Sequence, residues 1–101
     1  MLYIEMKLEG IEKAGDGIHK WVATFIGDTG RKKRVKFGAI GYEDYTIHKD
    51  PERRRRYIER HSGMGENWNK PDTAGSLSRY ILWEYKNFDR AVREFRKRFH
   101  L

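Results

Sequence analysis

The chain has 101 residues, 38% hydrophobic, 14% aromatic and 37% charged, with a formal net charge of +7. That length fits a single domain over 1–101, β-rich over 1–38 and helical over 50–101, with a small core built largely from rings. No apolar run reaches the roughly 18–20 residues of a membrane span, the start lacks the basic region of a secretory signal, and the absence of cysteine excludes disulfides, thiolate metal sites and thiol catalysis.

Leu2, Ile4, Met6 and Leu8 alternate with Tyr3, Glu5, Lys7 and Glu9, the period of a strand with one buried face, and Gly10 to Gly17 reads as a turn region. A second strand is expected near Lys20–Ile26, then a turn at Gly27-Asp28-Thr29-Gly30 and a third strand near Arg34–Gly38, with Val35 and Phe37 on one face. Ala39 to Ile47 reads as irregular or extended and carries Tyr42 and Tyr45. Asp50-Pro51 is a helix start, because Asp caps free amides and Pro suits the first turn; this helix should run to about His61. A second helix is expected after Asp72 or Thr73, through Leu77, Tyr80 and Ile81. A third follows Asn87, with Phe88, Ala91, Val92, Phe95 and Phe99 forming one apolar stripe. The fold class is α+β: a small antiparallel three-stranded meander followed by three short helices.

Charge is unevenly distributed. Residues 1–30 sum to −2 and residues 31–101 to +9. The basic side chains fall in three bursts: Arg31, Lys32, Lys33, Arg34 and Lys36; Arg53 to Arg56 with Arg60; and Arg90, Arg93, Arg96, Lys97 and Arg98. Such a field favours acidic protein surfaces, DNA or RNA as partners. The first burst lies near Trp21 and Phe37, the juxtaposition of a single-strand-binding surface, although core rings inside and lysines outside would give the same letters. Four consecutive arginines must spread around a helix. Arg54 is therefore expected to be structural, Arg55 to pair with Glu59, Glu52 to pair with Arg56, and Arg53, Arg56 and Arg60 to face a partner. Trp68, flanked by polar residues, is a candidate partner anchor, whereas Trp83 is expected in the core.

The succession Val35-Lys36-Phe37-Gly38-Ala39, Asp44-Tyr45-Thr46-Ile47-His48-Lys49-Asp50-Pro51-Glu52-Arg53, Arg56-Tyr57-Ile58-Glu59-Arg60-His61, Glu66-Asn67-Trp68, Thr73-Ala74-Gly75, Ser78-Arg79-Tyr80, Leu82-Trp83 and Arg96-Lys97-Arg98-Phe99 resembles a family of small uncharacterised proteins encoded by large double-stranded DNA viruses of algae and protists. The resemblance covers roughly residues 34–99. It implies a viral origin and a role as a minor virion component or genome-associated protein, located in the particle or inside the host cell.

His19, His48, His61 and His100 raise a metal reading, but none shows the i, i+4 spacing of a helical site. His48 and His61 would form a divalent-cation site only by converging with Glu66 or Asp50. A metal-dependent nuclease would draw on Asp44, Asp50, Glu52, His48 and His61, yet no motif fixes their geometry. Ser62, Ser76 and Ser78 lie in no catalytic set, and Gly38-Ala39-Ile40-Gly41 has no phosphate-loop lysine. The expectation is therefore a non-enzymatic protein without a cofactor. It would dock on capsid subunits or packaged DNA, the second reading being a nucleic-acid-binding protein of infected cells and the third a nuclease.

Overall fold

The computed structural model describes residues 6–101. Three antiparallel strands, β1 (Met6–Lys13), β2 (His19–Gly27) and β3 (Lys32–Ala39), form a meander in the order β1-β2-β3. Helices α1 (Tyr45–His48), α2 (Pro51–Ser62), α3 (Ala74–Leu77) and α4 (Phe88–Phe99) follow, with a π-helical segment, Ser78–Leu82, directly after α3. The α+β class and the meander agree with the sequence. The expected strand positions Leu2 to Ile4 lie outside the described residues.

The first strand differs from expectation. Gly10 does not begin a turn; the strand continues to Lys13 through a bulge, because Leu8 pairs with Phe25 and Gly10 with Thr24, leaving Glu9 as the extra residue. The bulge resets the alternation, so that Leu8 and Ile11, an odd number of positions apart, both pack against the core. The turn comes later, where Asp16 Oδ1 accepts the amides of Ile18 (2.9 Å) and His19 (2.7 Å). Those amides, with the His19 ring, hold the Asp16 carboxyl well below the usual carboxylate range.

One face of the sheet carries Leu8, Ala23, Phe25 and Phe37 against Leu77, Ile81, Leu82, Ala91 and Phe95, so strands and helices share one core. Polar ties fix the arrangement. Lys33 donates to the Asp72 carboxylate (2.9 Å), and the Arg96 guanidinium donates to the Leu8 carbonyl (2.7 Å). Between Ala39 and Ile47, where an irregular stretch is expected, α1 forms. Buried Asp44 caps it by accepting the Thr46 amide (3.0 Å) and is itself paired with Lys20 of β2 (2.8 Å). At the next corner Asp50 caps α2 by accepting the Glu52 amide, as the sequence predicts, while its own amide donates to His48 Nδ1; both bonds are 2.9 Å.

The second expected helix is two pieces. It begins at Thr73, whose hydroxyl accepts the Ser76 amide (3.2 Å), and then widens, with the Trp83 amide donating to the Ser78 carbonyl (3.1 Å). The wider turn brings Leu77, Ile81 and Leu82 into the core together. It also delivers Glu84 between two guanidiniums, Arg54 of α2 (2.8 Å) and Arg79. Arg54 is structural, as its spacing implies. Replacing Glu84 with Gln is expected to cost roughly 2 kcal/mol, less than for a fully buried pair because the three side chains keep 13–28% exposure. Urea titration checks this, and an unchanged midpoint would show that the triad contributes nothing.

Candidate functional site: a cationic cleft on helix α2

The four consecutive arginines separate as helix geometry requires. Arg54 turns inward to Glu84, and Arg55 is clamped by Glu52 and Glu59 (2.7 Å to the latter). Arg53, Arg56 and Arg60, at i, i+3 and i+7, line one wall of a cleft of about 500 Å³. Its other walls are the end of β3 at Gly38 and Ala39, the Tyr42–Asp44 loop, and the π segment with Trp83. Ion pairing in the row is loose. Arg53 stands 3.6 Å from Glu43 and Arg56 3.9 Å from Glu52, with 44% and 62% of their side chains exposed. Arg60 has no carboxylate within ion-pair distance among the described residues.

Four cationic side chains, the arginine row and Lys20, thus face two carboxylates in the cleft, and Asp44 is already committed to Lys20 and its cap. Exposed guanidiniums that are not locked in tight pairs keep their donors for an anion, and phosphate matches their planar fork.

A ladder of rings stiffens the floor. Tyr57 lies parallel to Trp83 (4.2 Å, 4°), His61 stacks on Tyr57 (4.0 Å), and His48 tilts against Trp83 (5.2 Å). Burial pushes the Tyr57 hydroxyl up to about 12, so it stays protonated at neutral pH. Burial, then the Arg53 charge, lowers the His48 pKa below its ordinary value, which favours the neutral ring that accepts the Asp50 amide.

The two histidines occupy opposite ends of the Tyr57–Trp83 pair and do not converge. His61 Nδ1 meets Glu66 (3.1 Å), while His48 is bound to the Asp50 backbone and not to its carboxylate. His19 sits with Asp16 in the first turn, and His100 follows α4 as its C-cap. Among the described residues no three His, Asp or Glu side chains gather closely enough to hold a metal ion.

The remaining candidates are dispersed. Lys32 pairs with Glu9 (3.0 Å), Lys33 with Asp72 (2.9 Å) and Lys36 with Asp16 (3.2 Å), while Arg31 and Arg34 have no carboxylate partner among the described residues. The rings near this burst do not join it: Phe37 is buried in the core and Trp21 stacks on Phe88 (4.5 Å). Trp68 is half-buried beneath the Arg79 guanidinium (5.2 Å) and lies outside the cleft. In the third burst Arg96 bonds to β1, and Arg90 and Arg98 cover Tyr85 and Tyr80.

Sequence reasoning found the arginine row from its period but missed the cleft opposite it. Tyr42 at the lip, 76% exposed, was visible only as a tyrosine in an irregular stretch. The signal for it was Gly41, whose φ of +93° lets the chain turn at the end of β3.

No helix among the described residues is long and apolar enough to cross a membrane. No curated protein and no solved structure matches the chain. Residues 10–61, half of the chain, match a family of unknown function, and that stretch runs from within β1 to the last turn of α2, with Tyr42 and all three arginines of the row. The chain belongs to this family, DUF5754.

Proposed function

We propose that the protein is a small, non-enzymatic docking protein that holds nucleic-acid phosphates in the α2 cleft. The observation that carries this reading is the row Arg53, Arg56 and Arg60, loosely paired and exposed on a concave wall. Phosphate contacts supply most of the affinity in such binding and need no catalytic group. The dispersal of His, Asp and Glu side chains among the described residues supports docking over a metal-dependent nuclease. The resemblance of residues 34–99 to proteins of large double-stranded DNA viruses supplies the setting: a nucleic-acid-binding protein of the infected cell, where single strands are exposed, with a place in the particle on packaged DNA as the competing setting. Acidic faces of capsid subunits are the competing partner, since carboxylates also suit guanidinium.

Fluorescence anisotropy with a labelled oligonucleotide over a salt series tests this. Three phosphate contacts predict a log–log slope of about −2 to −3. Absence of binding at low salt would refute the nucleic-acid reading, and a rise in the anisotropy of a labelled, purified acidic capsid subunit titrated in its place would replace it with the protein partner.

A further inference from the structure

We infer that the nucleic acid taken by the cleft is single-stranded, with an unstacked base lying on the ring of Tyr42; this inference rests on the phosphate-binding reading above. Tyr42 is the most exposed large apolar side chain among the described residues and lines the same cleft as the arginine row, one position before Glu43, which stands 3.6 Å from Arg53. Its backbone is held by the turn that closes β3, where its amide donates to the Ala39 carbonyl (3.3 Å). A ring fixed at its backbone and open on its faces is a stacking platform, and every base has a π-face to offer it.

The other rings of the cleft cannot serve. Tyr57 is covered on both faces by His61 and Trp83, and Trp83 by Tyr57 and His48, so they offer edges to a sugar or base rim. The arginines stand at spacings of about 4.5 and 6 Å along the helix axis. They can follow a backbone passing along α2 while a base turns inward.

A duplex fits this site poorly. A helix reads a major groove by projecting into it, but the arginine face of α2 is walled by the Tyr42–Asp44 loop and the π segment. The bases of a duplex are also stacked on one another and leave no free face for Tyr42. A volume of about 500 Å³ suits one small-molecule-sized guest, such as a nucleotide unit of a strand.

The test compares labelled dT12 with a 12-base-pair duplex, on the full chain and on Tyr42→Ala and Tyr42→Trp, with inorganic polyphosphate as a competitor. The proposal expects dT12 to bind more tightly than the duplex. Tyr42→Ala should weaken dT12 about tenfold, Tyr42→Trp should restore it, and the affinity for polyphosphate, which has no base to stack, should be alike in all three proteins. Because Tyr42 is exposed, all three proteins should melt together. Equal affinity for strand and duplex, or dT12 binding indifferent to Tyr42→Ala, overturns the inference while leaving the phosphate site intact. Failure of every anion to bind any variant overturns both.

Discussion

The double variant Arg56→Glu/Arg60→Glu should lose oligonucleotide affinity by on the order of 100-fold at moderate salt, since two charge-assisted contacts of about 1.5 kcal/mol each are removed and replaced by repulsion. The fold should survive. Both side chains are exposed, Arg56 is only loosely paired, and the new carboxylates at 56 and 60, facing each other, Glu52 and Glu59 at i, i+3 or i, i+4, add only about 1 kcal/mol of like-charge strain in all. The matched control is Arg31→Glu/Arg34→Glu. It changes the net charge equally, but at the β2–β3 turn and on the sheet face away from the helices, where Arg34 pairs with Thr24. A site in the cleft predicts at most a several-fold loss for the control, through long-range attraction that salt screens. Comparable losses in the two variants would mean that overall charge governs binding and that the cleft has no special part in it.

Truncating Phe95 to Ala should have the largest effect on stability, about 3–5 kcal/mol. Phe95 is 1% exposed, touches the shared core of sheet and helices, and tilts against Phe99 (5.0 Å). A domain of this size has only about 5–15 kcal/mol in total. The variant should therefore melt at least roughly 12 °C lower or be unfolded at 37 °C. Arg93→Ala, on the exposed side of the same helix, should stay within about 0.5 kcal/mol of the parent. Calorimetry of the two variants separates them; a Phe95→Ala melt matching that of Arg93→Ala would remove this ring from the core.

The elements legible in the sequence are those whose signal is local. Strand-favouring residues located β2, alternation located β3, the Asp50-Pro51 and Asn87 caps located α2 and α4, and the stripe Phe88, Ala91, Val92, Phe95 and Phe99 located the packed face of α4. Where the signal is shared between distant segments, the reading failed. Gly10 resembles a turn residue, and only its partner Thr24 makes it part of a bulged strand. Helix α1 is a single turn, too short for any period to register, and its cap Asp44 depends on Lys20 of β2. The π segment arises because Leu77, Ile81 and Leu82 must all reach one core, a demand of packing that helical periodicity alone does not express.

The candidate site divides along the same line. The i, i+3, i+7 spacing makes the arginine row readable, and i, i+4 partners correctly remove Arg55 from it. The opposite wall is not readable, because Tyr42 and Trp83 meet α2 only through the turn at Gly41 and the return of the chain after α3. For Trp68 the polar neighbours mislead: they surround a ring that Arg79, eleven positions on, covers.

Amide chemical-shift mapping of the ¹⁵N-labelled full chain during titration with dT12 locates the bound strand residue by residue. Shifts should concentrate on Ala39 to Asp44, on Arg53, Arg56 and Arg60, and at Trp83, and leave the outer face of the sheet unchanged. Shifts centred instead on Arg31 and Arg34, or on the exposed face of α4, would contradict a site in the cleft.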